Sequence, residues 1–172
     1  MRASSSSSFC RSCGAALKDT FVDLGMSPLC ESYVPAEALN HVEAFYPLHV
    51  WVCRECLLVQ LDEYVTPEHI FTEYAYFSSF STAWLKHAED YTAAATKRLG
   101  LGPKSLVVEL ASNDGYLLQY FVRAGIPCLG IEPAANVAKS AEDKGVPTLV
   151  KFFGREVGAA LAAEGRSADL II

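Results

Sequence analysis

No apolar run in these 172 residues approaches the ~18 that a membrane-spanning helix needs, so a transmembrane segment is not expected. The N-terminus also lacks the apolar core of a secretory signal. Positive charge is scarce: 14 Lys and Arg face 20 Asp and Glu, a net charge of −6. A general nucleic-acid binder needs a basic face for phosphates, and this balance argues against one. The first 62 residues repeat the pattern, with four basic residues (Arg2, Arg11, Lys18, Arg54) against seven acidic ones, a net −3. A Gly-x-Gly-x-x-Gly fingerprint is missing too, which counts against a nicotinamide dinucleotide enzyme. What is present is a globular composition, 51% apolar and 20% charged. Its six cysteines, without a signal segment, suggest metal or redox use in a reducing cytoplasm.

The chain reads in four stretches. Residues 1–8 include a run of five serines, Ser4 to Ser8, and are expected to form a disordered tail. Residues 9–62 carry two Cys-x-x-Cys pairs among short apolar stretches broken by Gly25, Pro28, Pro35 and Pro47, with strands expected at 45–52 and 57–61. Residues 63–103 hold an aromatic connector and a helix over 81–99. Ser79 or Ser81 can cap this helix and Gly100 can end it, and Trp84, Ala88, Tyr91, Ala95 and Leu99 share one face. From residue 104, strands at 105–110, 127–131, 146–150 and 168–172 alternate with helices at 116–123, 134–144 and 155–164. That alternation predicts an α/β unit with a parallel sheet, so the expected fold is a small zinc-ribbon-like domain followed by a partial Rossmann-like one. Because the chain stops within the apolar run Asp169-Leu170-Ile171-Ile172, we expect it to be a C-terminally truncated piece.

The chemistry-bearing motifs begin with Cys10-Arg-Ser-Cys13 and Cys53-Arg-Glu-Cys56. Two residues between thiolates let both point at one ion, and two such pairs complete a tetrahedral sulfur site suited to structural zinc. His41 and His49 are weaker ligand candidates, and Cys30 and Cys128 read as small buried residues. The second motif, Glu109-Leu-Ala111-Ser112-Asn113-Asp114-Gly115, is a strand, a tight turn and a helix start, where small residues let a ligand approach the backbone. In the third, Gly130-Ile-Glu132-Pro133, an acid at a strand tip can accept the ribose hydroxyls of an adenosine ligand. Glu109 and Glu132 together, without a pyrophosphate loop, suggest S-adenosylmethionine. The fourth is the aromatic stretch containing Tyr74 and Tyr76, either a source of acid–base groups or aromatic packing.

Taken together with Tyr76-Phe-Ser-Ser-Phe-Ser-x-x-Trp84, Asn136-Val-Ala and Phe152-Phe-Gly154, these stretches resemble the S-adenosylmethionine-dependent sugar C-methyltransferases of antibiotic deoxysugar pathways. The resemblance runs over nearly the whole chain from Phe9. It implies a nucleotide-linked 4-keto-deoxysugar whose C3 proton is removed by a base, so that the enolate carbon attacks the cofactor methyl group. It also implies that Tyr76, then Tyr74, face the substrate. Glu109, Ala111, Ser112, Asn113, Asp114, Gly115, Glu132, Pro133 and Asn136 would line the cofactor site. The family's C-terminal region, which bears further catalytic groups, is not in these residues, so the chain alone is expected to be inactive. The alternative is a non-catalytic zinc-ribbon interaction protein with a vestigial adenosine-ligand fold. The partner expected is a small nucleotide-sugar, with no nucleic acid or membrane, and the sequence leaves the oligomeric state open.

Overall fold

A computed structural model describes residues 8–172, and the expected serine tail up to residue 7 lies outside the described residues. Ser8, the end of that stretch, is built into the fold: its carbonyl accepts the Leu17 amide at 2.9 Å and its hydroxyl donates to Asp62 at 2.9 Å. The chain divides into two compact units, Met1–Ile70 and Phe71–Ile172, with the short helix α1 (Pro67–Phe71) at the division. Among the described residues no helix is long and apolar enough to cross a membrane.

The first unit is a three-stranded antiparallel sheet in the order β1 (Asp19–Ser27), β2 (Tyr46–Val52), β3 (Val59–Leu61). The two later strands follow the apolar runs. The first strand, the longest, escapes sequence reading for physical reasons. Its register against β2 shifts between Thr20 and Val22 and again between Asp23 and Met26, and Gly25 takes a φ of 78°. Phe21, Leu24 and Met26 are mostly exposed, so no period-2 burial marks the run. Pro47, read as a break, lies inside β2 opposite Met26, at the irregular end of the ladder. Strand β3 starts two residues later than expected because Leu57 turns left-handed, at φ 63°. The buried apolar cluster is small: Cys10, Leu17 and Cys53, with Ala15, Trp51 and Leu58 packed against it.

The second unit is a parallel α/β fold. Its sheet has the order β6 (Thr148–Leu149), β5 (Cys128–Ile131), β4 (Val107–Leu110), β7 (Leu170–Ile171), with every pairing parallel. Helices α3 (Leu118–Arg123), α4 (Ala135–Asp143) and α5 (Arg155–Ala163) make the crossovers. Both faces of the sheet are covered. Val107 and Cys128 pack with Ala88, Leu118, Phe121, Ala141 and Val146, while Val108, Leu129 and Ile131 pack with Leu161. This two-sided burial explains the continuous apolar runs. The chain leaves β4 for β5 and β6 on one side, then returns to β7 on the other. The carboxyl end of β4 is therefore a topological switch point, where open parallel sheets bind ligands.

Helix α2 (Thr82–Leu99) starts and stops as its caps predict. The Ser81 hydroxyl accepts the Trp84 amide at 3.1 Å, and Gly100 closes the helix at φ 65°. Its buried stripe shares only Ala88 with the one read from spacing. Ala88 and Thr92 are buried, whereas Trp84, Tyr91 and Leu99 are exposed. Thr92 can be buried because its hydroxyl donates back to the Ala88 carbonyl at 2.7 Å. Cys128 is a core residue as expected, but Cys30 is exposed.

Candidate functional site

The four cysteines converge. Their sulfurs all lie within 4.8 Å of one another, with Cys10 to Cys56 and Cys13 to Cys53 both at 3.5 Å, so they are thiols and not disulfides. Zinc–sulfur bonds of ~2.3 Å in a tetrahedron put sulfurs ~3.8 Å apart. This donor set therefore fits zinc, and a closed sulfur shell leaves no open position for catalysis. The two knuckles repeat one backbone design. The Gly14 amide donates to the Cys10 carbonyl at 2.9 Å and the Cys10 amide to Ala15; the Leu57 amide donates to the Cys53 carbonyl at 3.0 Å and the Cys53 amide to Leu58. In each, the first cysteine is buried, the second exposed, and the next residue left-handed.

Gln60, which sequence reading missed, completes the centre. Its side-chain amide donates to the Cys10 sulfur at 3.2 Å, while its oxygen accepts the Arg11 amide at 3.0 Å. The Cys13 amide first, then Gln60, pull the Cys10 thiol down to about 6. Neither candidate histidine joins the cluster; His49 stacks on Trp51 at 4.1 Å.

The left-handed position gives a direct test of this design. Glycine occupies it at Gly14 without strain, whereas Leu57 is strained there and 73% exposed, so its side chain adds little packing. Leu57→Gly should stabilise the metal-loaded unit by about 0.5–1 kcal/mol, the left-handed strain less the extra entropy of glycine. A lower melting temperature for the variant would contradict the parallel between the knuckles.

In the second unit, the loop after β4 carries most of the sequence-predicted cofactor residues. Ala111, Asn113 and Gly115 all have left-handed φ, at 56°, 49° and 74°. Such a loop persists only where its surroundings over-determine it. The Ala111 amide donates to the Ile131 carbonyl at 2.8 Å and the Asn113 amide to the Glu132 carboxylate at 2.8 Å. A side chain on Gly130 would meet the Ser112 hydroxyl at 2.4 Å, and one on Gly115 would press on Val146 and Ala141 at 3.0 and 3.1 Å. Glycine at these two positions thus lets Ser112 nest on β5 and the loop pack on α4.

Three buried atoms around this loop have no hydrogen-bond partner: Glu109 Oε2, Ser112 Oγ and Asp114 Oδ1. Orphaned polar atoms gathered at a switch point suit a ligand bearing amine and hydroxyl donors. Burial raises the Glu109 carboxyl to about 8, against the lowering effect of the Tyr116 hydroxyl, with Asp114 and Glu132 adding negative charge nearby. Tyr116 is itself raised to about 12, by burial first and then by Glu109. Trp84 stacks on Tyr116 at 5.9 Å.

Glu132 is buried at the tip of β5, as expected, but both of its oxygens accept backbone amides, from Asn113 and from Ala134 at 2.9 Å. It braces the loop against the start of α4. Half-buried Pro133 follows it, and Ala111 is exposed. Asn113 and Asn136 turn toward the aromatic stretch. The Asn113 side chain accepts the Ser78 amide at 3.0 Å and donates to the Tyr76 carbonyl at 3.0 Å; Asn136 accepts the Tyr74 amide at 3.1 Å and donates to its carbonyl at 2.6 Å. Lys144, invisible to sequence reading because it resembles an ordinary helix-end cation, reaches Asp114 Oδ2 at 2.9 Å and the Ser79 hydroxyl at 2.7 Å. The Tyr74 side chain is half-buried and that of Tyr76 47% exposed.

Residues 10–71 match the family model of a zinc binding domain. Over 162 residues, 94% of its length, the chain is 35% identical to the C-methyltransferase NovU of Streptomyces niveus. The chain is homologous to this C-methyltransferase. The likeness drawn from the motifs therefore extends through both units, although the chain spans 39% of the relative's length. A partial structural match, at 15% identity and a TM-score of 0.32, covers 42% of this chain and 33% of geranyl diphosphate C-methyltransferase from Streptomyces coelicolor A3(2), solved with Mg2+, geranyl diphosphate and S-adenosyl-L-homocysteine.

Proposed function

We propose that this chain forms the zinc-binding and cofactor-binding portions of an S-adenosylmethionine-dependent C-methyltransferase acting on a nucleotide-linked keto-deoxysugar in the cytoplasm. The observation that carries the reading is the 35% identity to a C-methyltransferase across 94% of this chain, through both the cysteine cluster and the β4 loop. The orphaned polar atoms of Glu109, Ser112 and Asp114 support a cofactor with amine and hydroxyl groups at that loop. By the motif assignment Ala111, Gly115, Glu132 and Pro133 would hold it with them.

The cofactor supplies an electrophilic methyl group, and this chain's part is to bind and orient it. Tyr76 first, and Tyr74 second, are assigned to the substrate side, where a phenol can donate to a developing enolate oxygen. Carbon methylation next to a ketone requires loss of the C3 proton, so the reaction has two separable signatures. The complete enzyme should move a labelled methyl group from S-adenosylmethionine to a nucleotide-linked 4-keto-deoxysugar, and it should exchange the C3 proton with deuterated solvent. Methyl transfer to oxygen or nitrogen, with no C3 exchange, would refute the assigned chemistry. Failure of this chain to bind S-adenosylhomocysteine at millimolar concentration would refute the cofactor assignment.

A further inference from the structure

Two asparagines that the motifs assign to the cofactor are spent elsewhere. Asn113 and Asn136 each use both halves of the side-chain amide on backbone groups of the segment from Tyr74 to Ser78, at 2.6–3.1 Å. A side-chain amide matched to both a backbone N–H and a carbonyl imitates a strand partner, and it holds an irregular segment that has no ladder of its own. A third fastening lies beside them. The Ser79 amide donates to Asp114 Oδ2 at 3.3 Å, and Lys144 bridges the same carboxylate and the Ser79 hydroxyl. The segment carries both tyrosines assigned to the substrate, and its anchors stand on the loop and helix assigned to the cofactor.

We propose that Asn113 and Asn136 are positioning residues that clamp the tyrosine-bearing strap of residues 74–79 onto the β4 loop and α4. Resting on the proposed function, this makes their task the placement of Tyr74 and Tyr76, not contact with the cofactor. Glu132 ties the two anchors together, since one oxygen holds the Asn113 amide and the other the Ala134 amide at the start of α4. The strap is thus referenced to the strand tip that would meet the ribose.

Site-resolved hydrogen exchange on this chain, free of ligand, tests the clamp whether or not the cofactor assignment holds. Asn136→Ala should speed exchange of the Tyr74 amide roughly 10-fold or more and leave the amides of β4 and β5 unchanged. Asn113→Ala should do the same at Ser78. Asn136→Asp adds a signature that a merely structural role would not produce. Its carboxylate faces the Tyr74 carbonyl and repels it at pH 7, whereas the protonated acid can accept and donate as the amide does. Strap protection in that variant should return as the pH falls toward 4, after correction for intrinsic exchange rates. Unchanged exchange at Tyr74 in Asn136→Ala, or loosening that spreads through the sheet, would overturn the clamp. So would a pH-independent Asn136→Asp. Binding of S-adenosylhomocysteine, measured in parallel, should change less than about threefold in Asn136→Ala; a loss of about 10-fold or more would make Asn136 a ligand contact and overturn the assignment. If the unsubstituted chain fails to bind it at all, the cofactor reading falls while the exchange data still decide the clamp.

Discussion

Stripping the metal from this protein should unfold the first unit and leave the second standing. The buried apolar cluster of the first unit has three members, and two of them, Cys10 and Cys53, are the proposed ligands. A sheet whose longest strand is mostly exposed cannot offset chain entropy with so little buried surface. Removing the ion also leaves four sulfurs crowded together with nothing to hold them, two of them buried. Structural zinc contributes about 10 kcal/mol or more in comparably small domains, which exceeds what such a unit can otherwise supply. Chelation should therefore abolish the β-sheet signal of the first unit and its tryptophan environment at Trp51. The α/β signal should persist, because that unit has its own two-sided core. Cys53→Ser should reproduce the effect, with bound zinc falling from one equivalent to near none. Cys30→Ser, at an exposed thiol outside the cluster, should change neither quantity. A metal-free protein with an intact first unit would show that the cysteines do not staple it.

The parts of this molecule that were legible beforehand are those in which one local signal and the tertiary environment agree. The strands and helices of the second unit stand out because two-sided burial leaves continuous apolar runs between glycine-closed helices. The cysteine cluster shows in spacing alone, since a tetrahedral ion dictates the spacing. Strand β1 was illegible because its sheet partner holds it through a ladder with two register shifts, without burying either of its faces in a regular pattern. Spacing alone misses Thr92 on the inward stripe of α2 because a threonine can be buried when it bonds back to its own helix. In the candidate site, sequence places Glu109, Ser112, Asp114 and Glu132 at the strand tips but says nothing of where their oxygens point. That Glu132 accepts the Asn113 amide, that Lys144 reaches Asp114, or that Gln60 reaches Cys10 depends on groups 19 to 50 residues apart in the chain. No short-range pattern carries such information.

Glu109 should make stability depend on pH in a direction opposite to that of an ordinary surface carboxylate. It is 3% exposed, one of its oxygens lacks a partner, and its carboxyl is raised to about 8, chiefly by burial. In the unfolded chain the same group titrates near 4.5. Below that value both states hold the proton and the group adds no pH dependence. Between about 4.5 and 8 the unfolded chain ionises freely while the folded chain holds its proton, so stability falls as pH rises. Above 8 both states are ionised and the loss levels off. Every tenfold difference in proton affinity between the two states is worth about 1.4 kcal/mol, which sets a ceiling of about 5 kcal/mol for the whole window. Glu109→Gln keeps the shape, cannot ionise, and gives back some of this gain because its amide hydrogens also need acceptors. At pH 9 the variant should therefore unfold with about 3 kcal/mol more resistance than the parent in the α/β unit, and at pH 4, where only the amide's cost remains, with about 2 kcal/mol less. Denaturant melts of both proteins across this range, followed by a helix signal, give the difference directly and cancel the contributions of titrating groups remote from Glu109. A difference that stays flat with pH, or that favours the parent at high pH, would mean that Glu109 is ionised in the folded chain and already has a cationic partner.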